Sequence, residues 1–105
     1  MNSTAKYQQI RQVVDNYLPG VRILLFGSHA RGRADIYSDY DLLIITSETL
    51  SPKEKIQWST RLDKALVASI KAPFDILLNS EEEVKEKQFL PGHIIQSAVR
   101  EGIAL

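Results

Sequence analysis

Cysteine is missing from the 105 residues of this chain. Disulfide bonds and thiolate metal sites are therefore excluded, as is common for proteins of a reducing compartment. Excess charge of one sign is missing too, because thirteen Lys and Arg residues balance thirteen Asp and Glu residues. Without a net positive field, the sequence gives no strong indication of a nucleic-acid partner or an anionic membrane surface.

Long hydrophobic runs are also absent. The longest aliphatic run is Leu42 to Ile45, whereas a membrane-spanning helix needs about 20 apolar residues. Residues 1–9 are polar and lack the apolar segment of a signal peptide. These absences predict a cytoplasmic protein without a membrane partner.

The proportions of hydrophobic and charged residues are those of a folded protein. Hydrophobic residues make up 44% and charged residues 25% of the chain, close to the averages of globular domains. A chain of this length is the usual size of one domain. We therefore expect a single domain over residues 1–105.

The spacing of apolar residues predicts alternating helices and strands. Helical spacing or capping signals occur over residues 3–18, 52–71 and 81–88 and from Pro91 onward, and short apolar strands are predicted over residues 21–26, 38–46 and 74–78. The long central helix, with a stripe at Trp58, Leu62, Ala65, Leu66 and Ser69, is expected to face the sheet. The order predicts an α/β (α+β) fold.

Two aspartates at the start of the second strand are the first candidate site residues. Asp39 and Asp41 flank one residue, so on a strand they project from the same face, with Cα atoms about 6.6 Å apart. Carboxylates placed in this way can share two divalent ions about 3.5–4 Å apart. Mg²⁺ prefers oxygen ligands and usually completes its shell with water and substrate phosphates, which indicates a nucleoside triphosphate ligand.

A glycine-serine pair follows the first strand. Gly27 permits a tight turn and a close approach to a ligand, and a short helix beginning near Ser28 would direct backbone N–H groups at an anion. Ser28 can add a hydroxyl donor, although capping the helix is a commoner role for such a serine. Arg31, one turn further on, can reach a phosphate.

The connections between strands predict a mixed three-stranded sheet. The segment between Gly27 and Ser38 is short for a parallel crossover, so the first two strands should be antiparallel. A helix joins the second and third strands, which should be parallel. That arrangement would place Asp75 beside Asp39 and Asp41, where it could hold a metal and accept a proton.

The stretch from Gly27 to Asp41, a Gly-Ser pair followed after ten residues by Asp-x-Asp, resembles the signature of the nucleotidyltransferase fold. The resemblance is to the bacterial minimal nucleotidyltransferases of the DNA polymerase beta superfamily. It extends to the preceding strand, to Asp75 and to the closing residues AVREGIAL.

The resemblance implies transfer of a nucleoside monophosphate, typically AMP, from ATP to a hydroxyl, with two Mg²⁺ ions as cofactors. Asp39, Asp41 and Asp75 would be the catalytic and metal-binding residues. Gly27 and Ser28 would bind the β- and γ-phosphates, and Arg31 is added as a nucleotide-binding candidate.

Some relatives, such as MntA-like proteins, are antitoxins that transfer AMP to a tyrosine of a helical HEPN toxin. The resemblance therefore suggests a HEPN partner. Since the larger family members use further domains to hold base and acceptor, we expect a homodimer or a heteromer.

Two other functions remain open at this stage. The chain could be a non-catalytic antitoxin that blocks its partner sterically, or a transferase acting on a small molecule such as an antibiotic. A phosphate-binding P-loop is disfavoured, because Arg33 and Ala34 stand where that motif needs lysine and a hydroxyl residue.

Overall fold

The computed structural model describes residues 3–35 and 38–105, and therefore omits positions 36 and 37 of the connection between the first two strands. The helices are α1 (Ser3–Tyr17), α2 (Gly27–Ala30), α3 (Pro52–Ile70), α4 (Glu81–Lys87) and α5 (Ile94–Glu101). The strands are β1 (Arg22–Phe26), β2 (Tyr40–Thr46), β3 (Phe74–Ser80) and β4 (Ile103–Ala104). The predicted mixed α/β fold is confirmed.

The four strands form one sheet in the order β3-β2-β1-β4. β1 and β2 are antiparallel, and β2 and β3 are parallel, as predicted. The predicted number of three strands is wrong, because β4 pairs with the other side of β1. This strand has two residues and a final backbone bond from Leu105 N–H to Ile23 O (3.0 Å), so it is too short to leave an alternating pattern in the sequence.

Two hydrophobic clusters sandwich the sheet. On one face, Ile23, Leu25, Leu42 and Ile44 pack with buried residues of α1 and α3, such as Leu66. The other face buries a second set against α4 and α5, namely Leu24, Phe26, Leu43, Ile45, Val84, Ile95 and Ala98. Because β2 is covered on both faces, it is continuously apolar after Asp41.

The long helix α3 begins with the predicted capping box. The last residue of its buried stripe differs from the prediction. Ser51 accepts a hydrogen bond from Glu54 N–H (3.2 Å), and the Glu54 carboxylate accepts one from Ser51 N–H (3.0 Å). Leu62 and Leu66 are buried as expected, but the stripe continues to Ile70, whereas Ser69 is exposed and accepts a bond from Gln9 of α1. The assignment of Ser69 to the sheet-facing stripe is wrong, because Ser69 lies at the solvent-exposed margin where α3 meets α1.

Three predicted element boundaries need correction, and the first is the end of β3, which continues to Ser80 and not only to residue 78. The last helix begins at Ile94 and not at Pro91, because Gly92 turns the chain with φ = 76° and His93 caps the helix by accepting from Ile95 N–H (3.1 Å). β2 begins at Tyr40, so Asp39 lies just before the strand. No helix within residues 3–35 and 38–105 is long and apolar enough to cross a membrane.

We expect Gly102→Ala to destabilise the protein by about 1–3 kcal/mol, the usual cost of overpacking. A Cβ at this position would overlap the carbonyl oxygen of Ala98 and lie 3.1 Å from Leu24 Cβ, at the junction of α5 and β4. Thermal unfolding measures the effect, with Ser97→Ala, an exposed change on α5, as the control. Equal melting temperatures for the two variants would contradict this account of the junction.

Candidate active site

The candidate site lies where the end of β1 meets the starts of β2 and β3. Phe26 is the register partner of Asp41 in the antiparallel pair, and Asp41 is the register partner of Asp75 in the parallel pair. Two carboxylates thus stand side by side on adjacent strands. The structure brings Asp41 and Asp75 together as the sequence predicted.

The pKa of Asp41 is raised by this arrangement. Partial burial raises the pKa of the Asp41 carboxyl, and the negative charges of Asp75 and Asp39 raise this pKa further. His29 and Arg31 act in the opposite direction and lower it. Asp39 is therefore within electrostatic reach of Asp41, although it is exposed and precedes β2.

The carboxylates alone do not form a complete metal cage. Within the described ranges, 3–35 and 38–105, no three acidic or histidine side chains are arranged to hold a metal ion by themselves. Such a site suits an ion that takes few protein ligands and completes its shell with water and phosphate oxygens, as Mg²⁺ does. The joint role of Asp39, Asp41 and Asp75 in metal binding stays a prediction.

Gly27 is the residue that Asp41 packs against. Its φ of 76° lies in the left-handed region, and a Cβ here would overlap Oδ2 of Asp41 and lie 3.0 Å from its Cγ. Glycine is required at this position for both reasons. The conformation turns the chain directly from β1 into α2, whose second residue is Ser28.

Arg31 lies beyond α2, and its partner is a residue that the sequence analysis missed. Oε1 of Glu101, the last residue of α5, accepts hydrogen bonds from Arg31 Nη1 (2.9 Å) and from Gly27 N–H (3.3 Å). The residues are 70 and 74 positions apart in the chain, so no local pattern could pair them. The only signal was that Glu101 falls within the family-like closing segment.

A stack of three aromatic rings supports the starts of β2 and β3. His29 stacks on Tyr40 with centroids 3.6 Å apart, and Tyr40 stacks on Phe74 at 5.1 Å. His29 Nε2 is also 3.1 Å from the carbonyl oxygen of Ser38. These contacts join α2 to the starts of β2 and β3, so they fix the positions of the neighbouring aspartates.

Open space adjoins Asp75 at the edge of the sheet. A depression of about 340 Å³ lies between α3 and β3, and its lining is largely polar: Ser59, Thr60, Asp63, Phe74, Asp75 and Ile76. Asp75 is itself exposed. Because side chains alternate along β3, the Asp75 carboxylate lies on the face of Leu77, whereas the depression lies on the α3 face with Phe74 and Ile76, so a reacting group reaches Asp75 from solvent and not through the depression.

Comparison with protein families decides the assignment. The family model described as polymerase beta, nucleotidyltransferase matches residues 8–102. The chain belongs to this nucleotidyltransferase family. The match includes Gly27, Ser28 and the three aspartates, together with Glu101.

Solved structures support the family fold. A protein described as a minimal nucleotidyltransferase shares 24% identity with a TM-score of 0.68, covering 100% of this chain and 97% of the other. A toxin-antitoxin with AMP-PNP shares 19% identity with a TM-score of 0.66, covering 92% and 69% of the two chains. A complex of tri-AMPylated Shewanella oneidensis HEPN toxin with MNT antitoxin has 16% identity, a TM-score of 0.61, and coverage of 98% and 71%.

At these identities the solved structures establish a shared fold and no more. The search among curated proteins found no match.

We expect Gly27→Ala to lower the melting temperature more than Gly20→Ala. Both positions have positive φ, 76° and 79°, so both substitutions carry backbone strain of about 1–3 kcal/mol. Gly20 has open space around its Cβ position, whereas Gly27 faces Asp41. Thermal unfolding of the matched pair isolates the steric contact, and a smaller loss at Gly27 would contradict it.

We expect Asp41→Asn to raise the melting temperature at neutral pH in buffer without divalent ions. The pKa of Asp41 is raised in the folded protein, so this group favours folding below its ordinary pKa and loses that contribution as pH rises through the folded value. Asparagine removes the penalty, so the gain should be a few degrees near pH 7 and should vanish below about pH 4. Melting curves across pH check this, and a constant difference at all pH values would contradict it.

Proposed function

We propose that the protein is a Mg²⁺-dependent nucleotidyltransferase that moves AMP from ATP to a hydroxyl group of a partner protein. The observation that carries the proposal is the pairing of Asp41 with Asp75 across β2 and β3, with Gly27 packed against Asp41. Partial burial and then the negative charges of Asp75 and Asp39 raise the pKa of Asp41, and a bound cation would relieve the repulsion among these carboxylates. The family match gives the reaction class.

The donor set fits magnesium. Asp39, Asp41 and Asp75 offer only carboxylate oxygens, the ligand type that Mg²⁺ prefers, and they are too few to complete its octahedral shell. When bound, two Mg²⁺ ions would neutralise negative charge on the triphosphate. The protein's part is to hold the three carboxylates at one end of the sheet.

The glycine-serine turn and Arg31 form the polyphosphate side of the site. Gly27 brings the backbone close to the ligand, Ser28 offers a hydroxyl, and the guanidinium of Arg31 supplies positive charge that already reaches Asp41. These groups would hold the β- and γ-phosphates so that the α-phosphate lies beside the aspartates. Orientation of this kind supplies much of the catalysis in phosphoryl transfer.

Asp75 would act on the acceptor. The hydroxyl oxygen forms a bond to the α-phosphorus, its proton passes to the Asp75 carboxylate, and the bond from the α-phosphorus to the bridging oxygen breaks, releasing pyrophosphate. Asp75 is exposed at the start of the edge strand β3, so an acceptor can approach its carboxylate from solvent.

The partner is proposed from the structural neighbours. One neighbour is a complex in which a HEPN toxin is tri-AMPylated beside its MNT antitoxin, and another is a toxin-antitoxin with AMP-PNP. By analogy, the acceptor is a tyrosine hydroxyl of a HEPN-type toxin in the cytoplasm, and this chain is the antitoxin. Such a pair is a heteromer, as the sequence led us to expect.

We expect the wild-type protein to transfer label from α-³²P-ATP to a co-purified HEPN-type partner in the presence of Mg²⁺. Asp41→Asn should reduce transfer at least about 100-fold, because the ligand carboxylate is lost. Glu82→Gln removes an equal charge from exposed α4, which follows the far end of β3, and should transfer at the wild-type rate. Label on the partner is measured by autoradiography and the modified residue by mass spectrometry.

The same variants, tested for label transfer and for neutralisation of the toxin in cells, separate AMP transfer from steric inhibition. Absence of label transfer by the wild type, or equal transfer by Asp41→Asn, rejects the proposed activity. If Asp41→Asn still neutralises the toxin in cells without transferring AMP, then the protein is an antitoxin that blocks its partner without chemistry. Transfer to a small molecule and not to the protein would reject the proposed acceptor.

A further inference from the structure

We infer that Glu101 is an internal competitor of the triphosphate: its carboxylate occupies the anion position of the site until a nucleotide displaces it. The inference rests on the proposed function, because it assigns Gly27 and Arg31 to the phosphates. Glu101, which lies near the C-terminal end of the chain, would thus belong to the nucleotide site. Its carboxylate would lower the affinity of the protein for triphosphate.

One carboxylate oxygen contacts two groups that the triphosphate would use. Glu101 Oε1 accepts from Arg31 Nη1 at 2.9 Å and from Gly27 N–H at 3.3 Å. A guanidinium and a backbone amide converging on one negative oxygen are the contacts that proteins make with phosphate oxygens. A phosphate at this position would have to replace the Glu101 carboxylate.

The C-terminal elements place Glu101 at this point. α5 packs through Ile95 and Ala98 on β1, and Gly102 N–H then bonds to Ala98 O (2.9 Å) as the chain turns into β4. β4 pairs with β1, directly before Gly27. Glu101 is therefore anchored on both sides by packed structure, while its own side chain keeps 31% of its surface exposed.

The contact is weak enough to be displaced. The side chain of Arg31 keeps 48% of its surface exposed, and ion pairs between exposed groups stabilise proteins by only about 0.2–1 kcal/mol. A triphosphate carries more negative charge than one carboxylate and would also contact Ser28 and the bound cations. Displacement of Glu101 releases Arg31 to the nucleotide, and the remaining carboxylate still repels the phosphates.

The test is binding of inorganic triphosphate with Mg²⁺ to the full chain, measured by isothermal titration calorimetry. We expect Glu101→Gln to bind about 1.5- to fivefold more tightly than the wild type, the range that an exposed ion pair corresponds to. The control Glu82→Gln should bind like the wild type, which excludes a general effect of net charge. Unchanged or weaker binding by Glu101→Gln would overturn the inference, since a residue that only positions Gly27 and Arg31 would weaken binding when it is lost.

A second variant tests whether the effect passes through Arg31. In an Arg31→Gln background, Glu101→Gln should give less than half of its free-energy gain in triphosphate affinity, because the released guanidinium is absent. A full gain in this background would overturn the proposed route. NMR provides a readout that survives altered stability: triphosphate with Mg²⁺ should shift the Glu101 side-chain resonances of the wild type toward their positions in ligand-free Arg31→Gln, where the carboxylate has also lost Arg31, and no such shift would count against the inference.

Failure of the inference is distinguishable from failure of the proposed function. If the wild type transfers AMP and Glu101→Gln leaves triphosphate affinity unchanged, then only the inference on Glu101 is wrong. If the wild type binds no triphosphate with Mg²⁺ while Glu101→Gln also binds none, both are wrong.

Discussion

The main constraint on this structure is that three like charges must be held close together at one end of a hydrophobic sheet. Asp41 and Asp75 are register partners on adjacent strands, and Asp39 adds a third charge within reach. Their repulsion disfavours folding at neutral pH, so the apolar packing below must offset it. Such a cluster would be purely destabilising without a cation, which is why it indicates a function.

The apolar core supplies the rigidity that this charge cluster needs. Leu42 to Ile45 follow Asp41 directly and are buried on both faces of the sheet. Because β2 lies between β1 and β3 and is covered by helices on both sides, its register cannot slip without exposing a whole apolar set. The site residues at the start of β2 are therefore held in place largely by the packing of the strand that follows them.

The two halves of the site are supported differently. The carboxylates rest on strand register and on the stack of His29, Tyr40 and Phe74, which is a property of the central sheet. The segment proposed to bind phosphate begins in α2, which is tied to α5 by Glu101 and to β2 by the stacking of His29 on Tyr40. Ion pairs at half-exposed positions are weaker than core packing, so Arg31 is held less firmly than the carboxylates on the strands.

The sequence by itself determined the element types, the mixed topology and the aspartates, because strand alternation, capping residues and short connections are local constraints. The capping box at Ser51 and the parallel placement of Asp75 were both read from such signals. Only the tertiary structure decided the fourth strand, the start of α5 after Gly92, the end of the buried stripe on α3, and the bond from Glu101 to Arg31. The start of α5 follows from the backbone conformation of Gly92 and the cap at His93. The other three depend on contacts between segments far apart in the chain, which leave no periodic pattern in the residues themselves.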